Sequence, residues 1–149
     1  MITAAYLQTW TEARTRFRNV LTTVQPNDLT NILQGTKNSA GFLIRHIADV
    51  ELLFAKNVFG ASDLKVHAQT VMDQKDTGIW NNLEELLNYE QTAYEALKTI
   101  IEKQTEGDWS TSISTKEFGT KTKAEAIGRI ISHTAYHAGQ LALTLKYGI

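Results

Sequence analysis

The chain has no cysteine, one proline and 9 glycines among 149 residues. Without cysteine there is no disulfide framework of the kind that staples small secreted domains, no zinc–thiolate cluster and no thiol nucleophile. Charge of one sign is also missing. Fifteen Lys and Arg against sixteen Asp and Glu give a formal charge of -1, and the basic residues are scattered. A nucleic-acid footprint needs a basic patch or stripe, because phosphate neutralisation supplies most of the binding free energy, so composition argues against a DNA or RNA binder. Long apolar runs are absent too, since Arg45, Asp49, Glu51 and Lys56 interrupt the longest of them well before the roughly 18 residues that a bilayer span requires. Met1-Ile2-Thr3-Ala4-Ala5-Tyr6 lacks the basic-then-apolar order of a signal peptide, which makes a cytoplasmic location the expectation. What is present is 42% hydrophobic residues, the profile of a single compact domain over 1–149 that buries about 68–70% of its unfolded surface.

Four segments carry helical periodicity. In the first, Tyr6, Trp10, Ala13, Phe17, Val20, Leu21 and Val24 recur at three- and four-residue steps until Pro26, which predicts an amphipathic helix over 3–24. A second starts at Asn38 or Ser39 as cap and runs to Gly60, a natural left-handed stop. The third begins at Asn81 or Asn82, each followed three residues later by Glu84 or Glu85, and ends near Gln104. The fourth opens with the capping box Thr122-Lys123-Ala124-Glu125 and continues towards Gly148. Together they cover about 90 residues and predict an all-α four-helix bundle. The connections 61–80 and 106–121 are long for a simple up-down bundle and permit parallel neighbours. Partial period-two alternation from Trp109 to Thr120 predicts an extended loop or short hairpin.

His133 and His137 stand four apart on the fourth helix, only about 40° apart around its axis, so both imidazoles can grip one ion. Thr134 and Ala135 occupy the places where a zincin would carry its catalytic Glu, which argues against protease chemistry. His46 lies on the second helix among Phe42, Leu43, Val50, Leu53 and Phe54. Two readings of these histidines stand side by side. In one they are satisfied core residues; in the other His46 turns the pair into the protein half of an open three-histidine metal site with room for water or substrate. A shared ion would give each buried neutral imidazole one of the two partners it needs.

The run Asn38-Ser39-Ala40-Gly41-Phe42-Leu43-Ile44-Arg45-His46-Ile47-Ala48-Asp49-Val50-Glu51, followed by His133-Thr134-Ala135-Tyr136-His137-Ala138-Gly139-Gln140-Leu141, resembles the DinB superfamily over nearly the whole chain. The resemblance implies an up-up-down-down four-helix bundle with long crossovers. It also implies a divalent metal, zinc or nickel, held by His46, His133 and His137, a homodimer, and membership of a family that includes enzymes using a low-molecular-weight thiol as cosubstrate. The function expected on this basis is thiol-dependent transferase or isomerase chemistry on a small-molecule electrophile at a site near one end of the bundle. A metal-dependent hydrolase and a non-catalytic, stress-induced metal-binding bundle are the alternatives.

Other residues carry smaller expectations. Asp49, one turn past His46, either accepts a hydrogen bond from a ligand imidazole or sits as a solvated charge on the polar stripe. Glu90 lies among Leu86, Leu87 and Leu97, where it is either a general base lining the pocket or the partner of an arginine such as Arg14. Gln140 faces a dimer partner or the helix surface, His67 is solvated in the crossover, and Trp80 and Trp109 lie as lids over the core. Ile44, Ala48, Leu52, Ala55 and Phe59 form a second apolar face on the second helix, which either the crossover or a second subunit must cover.

Overall fold

A computed structural model describes residues 1–149. The first predicted helix is two: α1 (Ile2–Ala13) and α2 (Thr15–Leu21), separated at Arg14. After a single 3₁₀ turn at Pro26–Asp28, α3 (Ala40–Leu53) begins where Ser39 Oγ accepts the Phe42 N–H, and it continues into a π-helical turn at Phe54–Val58 that stops at Gly60, whose φ is +88°. The crossover carries a short helix, α4 (Gln69–Asp73). The last two long helices are α5 (Leu83–Glu102), capped by the Asn82 side chain, and α6 (Lys123–Tyr147), which opens with the expected Thr122/Glu125 capping box. Between them β1 (Ser112–Thr115) and β2 (Gly119–Thr122) pair antiparallel, Ser112 opposite Thr122, so the alternating segment is a hairpin. No helix is long and apolar enough to cross a membrane.

The all-α bundle with long crossovers stands as expected, but the helix directions differ from up-up-down-down. Gln104, just past α5, marks one end: Thr3 Oγ1 donates to its carbonyl, its amide donates to the Phe59 carbonyl, and Lys123 Nζ donates to its Oε1. The start of α1, the close of α3, the close of α5 and the start of α6 therefore meet there. At the other end the terminal Ile149 exchanges two backbone hydrogen bonds with Ile32, in the loop between α2 and α3. The order is up-down-down-up, because residues 22–39 turn the chain back at one end whereas the 61–82 crossover runs the length of the bundle and makes α3 and α5 parallel neighbours. Loop length alone does not decide which of two long connections reverses the chain.

The core has two large apolar groups. Trp10, Phe54, Phe59, Leu97, Ile127 and Ile130 fill the Gln104 end, and Phe17, Leu29, Leu43, Ile47, Leu86 and Leu141 fill the other. Trp109 and Trp80 do lie over the core. Trp109 is buried with its indole N–H donated to Thr3 Oγ1, while the Trp80 carbonyl lies so close to Gly41 that a Cβ there would sit 1.8 Å from its oxygen. The second apolar face of α3 is covered within the chain: Ala48 and Leu52 pack with Ala93 of α5, flanked by Leu64 and Val66 of the crossover, and Ile44, Ala55 and Phe59 are buried too. That face thus lends no support to a homodimer.

Candidate metal centre

His46 projects from the first half of α3, and His133 and His137 from the middle of α6, so the histidines meet at mid-height on the α3–α6 seam and not at an end of the bundle. One ligand nitrogen from each lies within 4.8 Å of the others, and His46 Nε2 is 3.3 Å from His133 Nε2. Two nitrogens bound tetrahedrally to one zinc at about 2.0–2.1 Å are themselves about 3.3–3.4 Å apart, so this pair already has the spacing of one edge of a coordination tetrahedron.

The surroundings of the rings decide which nitrogens are free. The Thr70 hydroxyl on α4 donates to Asp49 Oδ2 at 2.7 Å, which leaves its oxygen to accept the Nδ1–H of His46 at 3.1 Å. His46 is thereby fixed as the tautomer with a bare Nε2. Gln140 Oε1, 2.7 Å from His137 Nδ1, is an acceptor and fixes His137 in the same way. His133 Nδ1 is buried without a partner. Phe42 stacks on His46 with the ring planes 7° apart, which limits rotation of the imidazole.

All three rings are held neutral. Burial, and then the nearby His137, pull His46 down to about 4; burial and then His137 and His46 pull His133 down to about 3. Burial also lowers His137, with Gln140 opposing. Neutral imidazoles with lone pairs converging on one point are what a divalent cation of borderline softness needs, and this donor set fits zinc or nickel.

Asp49 is fully buried, not solvated on a polar stripe. It accepts from Arg45 Nε at 2.9 Å, the Thr70 N–H at 3.0 Å, the Thr70 hydroxyl and the Tyr89 hydroxyl at 2.6 Å. The Arg45 guanidinium in turn lies over the Tyr89 and Trp80 rings. Asp49 therefore reaches His46 through one hydroxyl and not directly. Burial, then the hydrogen bond to Asp49, raises the Tyr89 phenol well above its usual value and keeps it protonated. Thr70 is the residue that reading the sequence missed; a threonine in a crossover without periodicity gives no signal.

Glu90 is no general base at this centre. It lies 2.6 Å from Arg14 Nη2, in a buried cluster where the same guanidinium also grips Glu51 at 2.8 Å. Of its two readings the arginine partner is the one observed. His67 is exposed, and its ring meets only Gln69.

Next to the histidines opens a cleft of about 440 Å³, with His46 and His133 on its floor, apolar walls including Val50, Phe54 and Val71, and the hairpin turn on its outer side. The π-helical turn at Phe54–Val58 supplies three of its lining residues; such turns recur at functional sites because they re-aim side chains.

A helical bundle with three imidazoles converging beside an open cleft belongs to the class of candidate mononuclear metalloproteins. The DinB superfamily model matches residues 9–141, and the chain belongs to that superfamily. The crystal structure of mycothiol-dependent maleylpyruvate isomerase superimposes with a TM-score of 0.72 at 16% identity, covering 93% of this chain and 60% of the enzyme. A histidine-to-alanine variant of that isomerase gives 0.67 at 14% identity with the same coverage. This chain thus spans about 60% of the isomerase's length, and at such identity the likeness is one of fold. No curated protein matches the chain.

Proposed function

We propose that the protein is a metal-dependent enzyme that joins a low-molecular-weight thiol to a small electrophile, or isomerises one by transient thiol addition. The observation that carries this reading is the convergence of three neutral imidazoles, two of which line an open cleft. His46, His133 and His137 would hold the ion; Thr70 with Asp49, and Gln140, would hold two of the rings. A bound divalent ion supplies Lewis acidity there, which lowers the pKa of a thiol and keeps it as the nucleophilic thiolate. The chain's own residues present the electrophile: the apolar wall excludes water around the reacting carbon, and the seam fixes its distance from the sulfur. In a transfer, the thiol proton passes to solvent, a carbon–sulfur bond forms and the bond to the leaving group breaks.

Thiol chemistry is favoured over hydrolysis by how the carboxylates of this half of the bundle are committed. Glu90 is committed to Arg14, Asp49 is shielded behind Thr70, and Glu117 at the mouth lies 3.5 Å from Arg129. A hydrolase working on water is served by a positioned general base, whereas a thiol already ionised needs none.

The test uses protein purified without a histidine tag, monochlorobimane as electrophile and a panel of low-molecular-weight thiols. Metal should be bound at one ion per chain, and chloride displacement should be accelerated by the wild type and lost with chelator and in His46→Ala. Equal rates in wild type and His46→Ala would overturn the proposal.

A further inference from the structure

The cleft beside the histidines is asymmetric in a way that specifies its occupant. Its inner walls are apolar: Val50, Leu53, Phe54 and Val58 from α3 and its π-helical turn, Val71 from α4, and Phe118 from the hairpin. Phe118 stacks against Phe54 in the cleft wall, centroids 6.0 Å apart. Polar groups lie among the lining as well, namely Asn57, Thr115, Lys116 and Glu117. Two of these are used internally: Thr115 Oγ1 accepts the Phe118 N–H, and Glu117 is paired with Arg129. Asn57 and Lys116 are exposed, and neither side chain has a hydrogen-bond or ion-pair partner in the chain. Glu117 is paired with Arg129, which lies outside the lining, so Lys116 is the one charged group of the lining without an ion-pair partner.

We propose that this cleft takes an electrophile with an apolar body and one anionic group remote from its reacting carbon. The body lies along the wall formed by Leu53, Phe54 and Phe118, the reacting end lies against the imidazoles, and Lys116 and Asn57 receive the anionic end. The assignment rests on the metal-dependent reading for the word electrophile; the binding chemistry itself rests on the cleft alone. Burial of apolar surface in a cleft of this size supplies most of the affinity, and an exposed lysine contributes orientation and a modest, salt-sensitive gain. The hairpin turn, through Lys116 and Phe118, is then the element that selects substrate.

The test is run on metal-free protein with no thiol, so that binding is separated from turnover. The anionic probe is 8-anilinonaphthalene-1-sulfonate, and its neutral counterpart is N-phenyl-1-naphthylamine, which has the same apolar body. Fluorescence titration of the wild type should show one site for each. Leu53→Trp, which fills the cleft, should abolish both. Lys116→Glu should weaken the anionic probe about fivefold and leave the neutral one unchanged. Near-ultraviolet circular dichroism checks that each variant keeps its packing, and Lys116→Glu, on an exposed turn, guards against a folding failure at Leu53. Persistence of wild-type binding in folded Leu53→Trp, or equal weakening of both probes by Lys116→Glu, would overturn the proposal. If the probes behave as expected but no chelator-sensitive turnover exists, the cleft stands and the thiol chemistry falls. Turnover without probe binding would instead remove the cleft assignment and leave the thiol chemistry standing.

Discussion

Two polar clusters share α3, and they differ in what surrounds them. Five residues past His46, Glu51 turns inward to meet Arg14 and Glu90, and all three side chains are more than nine-tenths buried between the two apolar groups of the core. The guanidinium also lies against the Trp10, Phe17 and Tyr94 rings, and its Nη1 is buried among them without a hydrogen-bond partner. That cluster faces no cleft and joins α1/α2, α3 and α5. In the histidine cluster two rings are fixed through Nδ1, the His46 Nε2 meets only the His133 ring at 3.3 Å, and a cleft lies alongside. A buried polar group whose partners are all internal holds elements in register. One whose ring nitrogens meet one another beside an open cleft is arranged for something that comes from outside.

The sharpest way to break the comparison is to remove Arg14. Arg14→Met leaves two buried carboxylates without a cation, a loss of about 3–5 kcal/mol, measured as a drop in the urea midpoint. His46→Ala, by contrast, should strip the metal and leave the helices folded by circular dichroism. If Arg14→Met were neutral, the ionic cluster would not be what ties three helices together. Ala48→Glu belongs with the large effects: Ala48 is fully buried against Ala93, so a carboxylate there should cost about 3 kcal/mol or more. A well-folded Ala48→Glu monomer arising from a wild-type dimer in light scattering would instead return that face to a subunit interface.

The two clusters should also respond to acid in opposite senses. His46 and His133 have native pKa values of about 4 and about 3, and His137 is lowered too, whereas the unfolded chain takes up these protons near pH 6.5. Between pH 6.5 and about 4 the unfolded state binds more protons, so their contribution falls as pH falls. Burial raises the Glu51 carboxyl, against the pull of Arg14, so its contribution is present at low pH and lost as pH rises through its native value. Three imidazoles against one carboxyl leave a net loss of stability in acid for metal-free protein. A urea midpoint flat from pH 6.5 to 4.5 in the presence of chelator would show that the rings are not held neutral.

Much of this arrangement was legible in the sequence for identifiable reasons. Helix starts at Ser39, Asn82 and Thr122 follow from side chains that accept specific N–H groups, and the four-residue spacing of His133 and His137 places them together whatever the rest of the fold does. Arg14 was recognisable as a possible partner for Glu90 because an apolar helical stripe cannot leave a carboxylate alone. The burial of Asp49 was not legible: a helical wheel puts it beside Arg45 and Lys56, and only Thr70 and Tyr89, arriving from distant segments, enclose it. Helix direction was hidden for a similar reason, since it depends on which end each crossover reaches. The interruption at Arg14 and the π-helical turn at Phe54 carry no proline or glycine to announce them.

The smallest effects should separate the two ring supports of the metal centre from each other. Thr70 is buried, its oxygen is His46's acceptor, and it is backed by Asp49 with three further donors. Thr70→Val keeps the volume but leaves the His46 Nδ1–H without an acceptor and removes one donor from Asp49, so metal affinity should fall about 10–100-fold. Gln140 is only partly buried, and the ring it holds is less enclosed than His133, so in Gln140→Ala water can replace the lost amide oxygen and the fall should be severalfold at most. Competition titration with a chromophoric chelator measures both without any need for turnover. Because neither change removes a ligand, one ion per chain should still bind at saturating metal. Equal losses in the two variants would mean that the Asp49–Thr70 pair does no more for His46 than solvent does for His137.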